Sequence, residues 1–196
     1  MDHSTTPKTR KDIIYEAAAQ LFREQGYLAA TMRDLAERVG LKQASSLYNH
    51  FKNKEEILRD ICFSNAQKFT EGMQTIEAME GSVIEKIQQL IQLHIQIATE
   101  DLTSITVFND EWRHLNAEHL ETFLQLRRDY ESRFKRLIEE GISAGMFKSL
   151  DATIILYSML TSVRWVHQWY RPERSLEPKV LAQTISTLLL EGLIKE

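Results

Sequence analysis

The sequence predicts an all-α protein, and three observations lead to this prediction. Only seven glycines and three prolines interrupt the 196 residues, so long stretches lack helix-breaking residues. Apolar residues recur at three- and four-residue spacing along these stretches, which is the period of one helix face. Strand-like alternation of apolar and polar residues does not continue beyond a few residues.

The composition and the missing signals indicate a soluble cytoplasmic protein. Hydrophobic residues make up 43% and charged residues 27% of the chain, as in ordinary globular domains. The amino terminus has no apolar signal segment, and the longest apolar region, 154–163, is about half the length needed to span a bilayer. The single Cys62 excludes an internal disulfide and is expected to be a small core residue.

The first helix is predicted from about Lys8 to Gln25, ending at Gly26. Its apolar face contains Ile13, Ile14, Ala17, Ala18, Leu21 and Phe22. The basic opening TPKTRK, residues 6–11, is expected to be a solvated terminus, with a DNA-contacting arm as the alternative.

A short second helix is expected after Thr31. Thr31 and Asp34 have the spacing of a capping box, in which each side chain satisfies a backbone amide of the helix start. Gly40 follows at the point where a short helix needs a left-handed residue to stop. The apolar residues between them, which share one helix face, are Met32, Leu35, Ala36 and Val39.

A third helix is predicted from about Gln43 to His50, in the position of the second helix of a helix-turn-helix. Leu47 and Phe51 point inward as an i, i+4 pair, whereas the remaining residues are small or polar. Small side chains allow close approach to a DNA groove and polar ones reach base edges or phosphates. Asn53 is expected to cap the following helix, with Glu56 at its third position. The alternative is a pair of short helices in any all-helical protein.

The order of these residues resembles the amino-terminal domain of the TetR family. The matching positions are Ala17, Ala18, Leu21, Phe22, Gly26, Tyr27, Thr31, Leu35, Ala36, Gly40, Leu47, Tyr48, His50, Phe51, Lys54 and Ile57. The segment from Gly40 to Tyr48 is one residue longer than the family pattern, which leaves two registers for the start of the third helix.

The resemblance implies a DNA-binding domain at 1–53 and a ligand-binding and dimerisation domain at 54–196. It implies phosphate contacts by Thr31, Tyr48, His50 and Lys54, and base-facing positions at Gln43, Ala44, Ser45 and Asn49. Ser46 also belongs to the expected DNA-binding residues. The alternatives are packing for Tyr48, helix capping for His50 and a solvated surface position for Lys54.

The formal net charge of −4 is unevenly distributed. Residues 1–60 carry ten Lys or Arg against nine Asp or Glu, and residues 61–196 carry fourteen against nineteen. Affinity for DNA must therefore come from the local placement of basic residues and not from bulk charge. The basic residues available for this are Lys8, Arg10, Lys11, Lys42, Lys52 and Lys54.

The second part of the chain is predicted to be helical throughout. A fourth helix forms its only chain connection to the first part. The predicted ranges are 54–77, 83–97, 102–114, 117–140 closed by Gly141 and Gly145, 151–170 and 176–193. The helix at 151–170 is apolar nearly all round and must be covered on every side. We expect it to form a homodimer interface with the last helix, as a four-helix bundle with the partner's same helices. An internal two-helix core is the alternative.

The middle helices are similar to the ligand domains of TetR-type repressors of sterol and fatty-acid catabolism. This resemblance implies an acyl-CoA or related hydrophobic acid as the effector. The expected cavity residues are Trp112, Tyr130, Phe134, Tyr157, Arg164 and Trp165. Arg127, Arg128, Arg164 and Arg171 are candidates for CoA phosphates. For Arg127 and Arg128, pairing with Glu131 or Glu121 along the helix is the favoured interpretation.

Two other classes of protein are alternatives to a DNA-binding regulator, a helical-bundle metal enzyme and a helical interaction adaptor. Glu111 and His114 have the Glu-x-x-His spacing of di-iron bundles, but a second such motif is missing, so neither a metal nor another cofactor is expected. The sequence also lacks a Gly-rich phosphate loop or a serine elbow. A helical interaction adaptor remains the second alternative. The prediction is a non-enzymatic repressor that binds a near-palindromic operator in double-stranded DNA.

Overall fold

The computed structural model describes residues 8–173 and 176–194, and its regular elements are helices. They are α1 (Arg10–Gln25), α2 (Met32–Arg38), a 3-10 helix η1 (Ala44–Asn49), α3 (Lys54–Ala78), α4 (Val83–Glu100), α5 (Leu102–Asp110), a 3-10 helix η2 (Trp112–His114), α6 (Ala117–Ser143), α7 (Ala152–Arg164), α8 (Val166–Trp169) and α9 (Pro178–Glu191). The all-α prediction is confirmed. The first two residues of the basic opening at 6–11 lie outside the described residues. No helix in the described ranges is both long and apolar enough to cross a membrane.

The predicted signals for the start and end of α2 are confirmed. The Thr31 hydroxyl accepts from the Asp34 amide at 3.1 Å, and the Thr31 amide donates to the Asp34 carboxylate at 3.0 Å. Gly40 has a φ of +70°, the left-handed conformation that glycine adopts with little strain. The Arg10 guanidinium donates to the carbonyl of Val39 at 3.1 Å, so α1 holds the end of α2 in place.

The sequence predicted a short third helix from about Gln43 without distinguishing an α-helix from a 3-10 helix. The structure shows a 3-10 helix starting at Ala44. The amides of Ser46 and His50 donate three residues back, at 3.2 and 2.9 Å. The segment is only six residues long and contains two adjacent serines, which compete with the backbone for hydrogen bonds. No side chain caps its start, although Asn53 caps α3 as predicted and accepts from Glu56 at 2.8 Å. A tight 3-10 turn is a common outcome for such a short element.

Two hydrophobic cores meet within α3. The first core joins α1, α2 and η1 to the first half of α3, and the second begins at Phe69 and extends over α4, α6, α7 and α9. Val107, Leu115 and Phe123 from the second part of the chain also belong to the first core. The packing therefore does not divide at residue 53, and α3 is not the only contact between the two parts.

Cys62 is fully buried in the first core, as the sequence predicted. Burial raises the pKa of its thiol to about 12, so the thiol stays protonated at neutral pH.

The glycine expected to close the helix after 117–140 lies inside it. Helix α6 continues through Gly141 to Ser143, and the chain then turns at Gly145, where φ is +72°. A Cβ atom at Gly141 would lie 2.3 Å from the Phe147 ring. This glycine is therefore explained by close packing, and the prediction that it ends the helix was wrong.

The predicted helix 151–170 is interrupted at Trp165. The imidazole of His167 contacts the carbonyl oxygen of Arg164 at 2.5 Å and so engages a carbonyl at the end of α7. Helix α9 packs mainly against α4 and less against α7, within one shared core. Ile154 on α7 and Leu188 on α9 are 69% and 71% exposed, and this apolar side of the chain is left uncovered.

Candidate DNA interface and ligand cavity

Helix η1 presents its polar residues to solvent and anchors itself with two apolar side chains. Leu47 and Phe51 are buried in the first core, as predicted. Tyr48 is 54% exposed, which leaves its ring available at the surface. The other candidates are exposed (Gln43, Ser45 and Asn49) or partly exposed (Ala44, Ser46 and His50). The predicted residues from Gln43 to His50 are therefore accessible at the surface of η1.

The two outer candidates, Thr31 and Lys54, have partners within the protein. Thr31 is exposed, but its hydroxyl is engaged in the α2 capping box. The Lys54 ammonium donates to the carbonyls of Tyr27, Leu28 and Ala30 at 2.8, 3.3 and 2.9 Å. It also lies 4.4 Å from the centre of the Tyr27 ring. An ammonium has three N–H donors, so in this conformation none remains for a phosphate.

Lys54 was predicted to contact a phosphate, but in the structure it holds the loop between α1 and α2. Sequence reasoning missed this role because the acceptors are backbone carbonyls more than twenty residues away. The exposed lysines that flank η1 are Lys42 and Lys52, which places positive charge at the candidate surface.

A cavity of about 460 Å³ lies in the second part of the protein. It is bounded by α3, α4, α5, η2, α6, α7 and α8, and apolar and aromatic groups form most of its wall. The lining residues are Ala66, Phe69, Thr70, His94, Ala98, Ile105, Phe108, Asn109, Asp110, Trp112, Arg113, Phe123, Leu126, Arg127, Tyr130, Thr161, Val163, Arg164, Trp165 and His167. This volume lies in the usual range for small-molecule sites, about 300–1,000 Å³.

The structure brings four of the six predicted ligand residues to this cavity, namely Trp112, Tyr130, Arg164 and Trp165. Phe134 is only 1% exposed and packs behind Tyr130 in the core, with ring centroids 6.5 Å apart. Tyr157 lies on the uncovered side of α7, outside this cavity. Both predictions were wrong, because residues one turn apart on an apolar helix can face different surroundings.

His94 is the main cavity residue that sequence reasoning missed. Its Nε2 and the Tyr130 hydroxyl are hydrogen-bonded at 2.9 Å, and its ring packs on Phe69 at 4.6 Å. Burial, with a smaller contribution from the charge of Arg164, lowers the pKa of His94 to about 3. Burial also raises the pKa of Tyr130. The pair is therefore neutral at physiological pH and offers the cavity polar groups without charge.

Positive charge is concentrated at one part of the cavity wall. The guanidinium groups of Arg113 and Arg127 lie 4.5 and 5.3 Å from the centre of the Trp112 ring. Arg127 and Arg164 both donate to Glu131, at 3.2 and 3.0 Å. The predicted pairing of Arg127 with Glu131 is confirmed. Arg128 instead donates to Gln125 at 2.8 Å and does not line the cavity.

The Glu111–His114 spacing does not form a metal site in the described residues. The two side chains face each other, with 3.4 Å between Oε2 and Nε2. Within residues 8–173 and 176–194, no group of three His, Cys, Asp or Glu side chains is arranged to hold a metal ion.

A helix-turn-helix with an exposed polar second helix, joined to a helical part with an aromatic cavity, defines a DNA-binding regulator with a ligand site. Comparison with known proteins supports this class. Residues 14–61 match the family described as bacterial regulatory proteins, tetR family, and residues 80–193 match the tetracyclin repressor-like C-terminal domain. The chain belongs to the TetR family, and it is a DNA-binding transcriptional regulator of the TetR type.

Similar proteins cover nearly the whole chain. The HTH-type transcriptional repressor KstR2 of Rhodococcus jostii is 28% identical, over 98% of this chain and 95% of its own length. The structure of the ketosteroid transcriptional regulator KstR2 of Mycobacterium tuberculosis has a TM-score of 0.91 at 23% identity, covering 97% of this chain and 98% of that one. The structure of AibR in complex with isovaleryl coenzyme A and operator DNA has a TM-score of 0.80 at 21% identity, covering 92% and 97%. Both structural likenesses concern the fold.

Proposed function

We propose that this protein is a cytoplasmic homodimeric repressor that leaves a near-palindromic operator when an acyl-CoA binds in its cavity. The observation that carries this proposal is an aromatic cavity with Arg113, Arg127 and Arg164 on its wall. Apolar walls suit an acyl chain, and guanidinium groups suit phosphates. AibR, which shares the fold, binds isovaleryl coenzyme A.

The proposed DNA surface is η1 and its immediate surroundings. Its residues are Thr31, Gln43, Ala44, Ser45, Ser46, Tyr48, Asn49 and His50. All of them are exposed or partly exposed, and all except Thr31 belong to η1 or directly flank it. The DNA-binding part is assigned to 1–53 and the regulatory part to 54–196, with the first half of α3 packed into both.

Dimerisation is proposed through the uncovered apolar sides of α7 and α9. Besides Ile154 and Leu188, these sides contain Tyr157, Trp165 and Val180, each at least 45% exposed. Two recognition elements must reach major grooves about 34–36 Å apart, or a multiple of that, which requires two copies. Light scattering should show a dimer for the wild type and a monomer for Ile154→Glu with unchanged helix content. A wild-type monomer that binds a palindrome as one unit would contradict this proposal.

Helix η2 provides a route between the cavity and the DNA-binding part. Trp112 and Arg113 line the cavity, and the next residue, His114, stacks on Tyr27 with ring centroids 5.5 Å apart. Tyr27 in turn lies under Lys54 at the start of α3. A ligand that moves η2 therefore changes the support of the α1–α2 loop. Release then requires the ligand to prefer the state that fits the operator less well.

Two neighbouring arginines on α6 allow a matched test. Arg127 lines the cavity, whereas Arg128 does not. We expect the wild type to bind DNA upstream of its own gene in a gel shift and to be released by octanoyl-CoA. Arg127→Gln should keep operator affinity and need at least tenfold more octanoyl-CoA for release, whereas Arg128→Gln should behave as wild type.

Each outcome bears on a different part of the proposal. If wild type ignores octanoyl-CoA and a panel of shorter and longer acyl-CoAs, both in DNA release and in melting temperature, the effector class is wrong. If it does not bind the upstream DNA or a palindrome selected from random sequence, the adaptor alternative gains support.

A further inference from the structure

Glu131 is the counter-ion of the cavity arginines. Its Oε1 accepts from the Nη2 of Arg164 at 3.0 Å and from the Nε of Arg127 at 3.2 Å. Its Oε2 accepts from the Tyr157 hydroxyl at 3.2 Å. The Glu131 side chain is 14% exposed and that of Arg164 is 25% exposed, so this ion pair is largely shielded from water.

The cluster leaves positive charge and donor capacity unused. One carboxylate serves two guanidinium groups, and Arg113, 4.5 Å from the centre of the Trp112 ring, adds a third. Among the residues that line the cavity, Asp110 carries a carboxylate, which is engaged by His167 and Gln168 at 3.2 and 3.1 Å. Among the described residues, Arg164 has one hydrogen-bond acceptor, whereas a guanidinium group carries five N–H donors.

The two arginines favour the charged form of the Glu131 carboxylate. Burial raises the pKa of Glu131, but its hydrogen bond to Arg164 and the charges of both arginines outweigh burial, and the pKa lies below the ordinary value. Burial lowers the pKa of Arg164, which means that its charge lacks full compensation. An incoming anion is favoured only if it compensates this charge better than Glu131 does.

We propose that Glu131 is a specificity-determining residue that makes the cavity select phosphate-bearing thioesters over the corresponding free acids. This inference rests on the proposed function. A free acid would exchange one carboxylate for another at the two arginines and gain little. A phosphate or diphosphate brings more negative charge and more acceptor oxygens, so it can bind the arginines that Glu131 now occupies. Glu131 would keep Tyr157 as a partner after the exchange.

The test compares octanoyl-CoA with octanoate, measured by calorimetry on the full-length protein. Wild type should bind octanoyl-CoA at least 100-fold more tightly than octanoate. A ~100-fold ratio of dissociation constants corresponds to a difference of about 2.7 kcal/mol in binding free energy. Glu131→Gln keeps the shape of the side chain and removes its charge. This variant should bind octanoate more tightly than wild type does. The ratio of the octanoate to the octanoyl-CoA dissociation constant should therefore be at least tenfold smaller than in wild type.

Two further variants control for indirect effects. Glu139→Gln removes a carboxylate on the same helix that pairs with Lys135 instead, and it should keep the wild-type ratio. Glu131→Asp retains the charge but withdraws it by one methylene, so it should narrow the ratio to an intermediate degree. It provides the answer if Glu131→Gln does not fold.

The outcomes separate this inference from the proposed function. If wild type binds octanoyl-CoA and the ratio is the same in wild type and both Glu131 variants, the role of Glu131 is wrong while the effector class stands. A wild type that binds octanoate as tightly as octanoyl-CoA also overturns the inference. If wild type binds neither compound, the effector class fails and this inference fails with it.

Discussion

The surface around η1 and the cavity between α3 and α7 hold polar groups in opposite ways. Around η1 the polar side chains are exposed, and two buried residues, Leu47 and Phe51, fix their position. In the cavity the polar groups are enclosed and paired with each other, as His94 is with Tyr130 and Arg164 with Glu131. A large surface outside the protein can reach the polar groups around η1, whereas a group must enter the cavity to reach those inside it.

The two sites differ in when their polar groups lose contact with water. Exposed side chains at η1 keep their contact with water in the free protein and lose it only when a partner covers them. Enclosed residues have already lost water during folding, which shifts their pKa values and requires internal partners. Substitutions at the cavity should therefore change stability and its pH dependence, whereas substitutions on the η1 surface should change DNA binding.

The largest effect is expected from a neighbouring pair in η1. Leu47→Ala should lower the free energy of unfolding by about 2–5 kcal/mol and abolish operator binding, because it opens a hole in the first core. Tyr48→Ala should change the free energy of unfolding by less than about 1 kcal/mol, since the ring is half exposed, yet weaken operator binding at least tenfold. Urea unfolding and gel shifts measure the two effects. Equal loss of stability in both variants would show that Tyr48 is a packing residue.

A second prediction concerns the pH dependence that burial gives to His94. Its pKa is about 3 in the folded protein, against about 6.5 in an unfolded chain. Between these values the unfolded chain binds a proton that the folded protein does not, so stability falls as pH drops below about 6.5. The expected loss at pH 5 is about 2 kcal/mol, at about 1.4 kcal/mol per pH unit.

Two variants identify the source of this loss. His94→Gln should remove it while keeping a polar partner for Tyr130. Tyr130→Phe should retain it, because the imidazole stays buried and burial is the main cause of the shift. Melting temperatures at pH 7 and pH 5 give the comparison. The prediction fails if wild type and His94→Gln lose the same stability between these pH values.

The smallest effect is expected at two lysines near η1. Lys54→Met should lower the free energy of unfolding by roughly 1–2 kcal/mol, because three backbone carbonyls lose a charged donor. It should leave the salt dependence of DNA binding unchanged. Lys52→Met should do the reverse, keeping stability and reducing the salt slope by about one unit. A reduced slope in Lys54→Met would return Lys54 to the phosphate contacts.

The DNA-binding part was the more predictable of the two. The capping box of Thr31, the stop at Gly40 and the cap at Asn53 all operate within a few residues, so the sequence reveals them directly. The 3-10 form of η1 and the partners of Lys54 were missed. The partners of Lys54 depend on how the loop after α1 is placed, which lies beyond the range of a local signal. The 3-10 form reflects the short length and the two adjacent serines of η1.

The cavity was less predictable because its residues carry the same helical spacing as a core. The sequence correctly predicted four cavity residues, because aromatic or charged side chains on otherwise apolar helices indicate a polar or ligand-binding environment. They are Trp112, Tyr130, Arg164 and Trp165. Phe134 and Tyr157 were assigned wrongly and His94 was missed. Whether an apolar residue faces a void, a packed core or solvent depends on the neighbouring helices, and the spacing along one helix does not contain that information.

The sequence by itself determined the fold class, the order of the helices, the helix-turn-helix and the buried anchors Leu47 and Phe51. These features follow from helix periodicity, capping residues and glycine conformation, which act over one or two turns. Only the tertiary structure decided that Glu131 holds two cavity arginines, that His94 is enclosed and neutral, and that η2 joins the cavity wall to Tyr27. These contacts link helices distant in the chain, and burial sets their electrostatics.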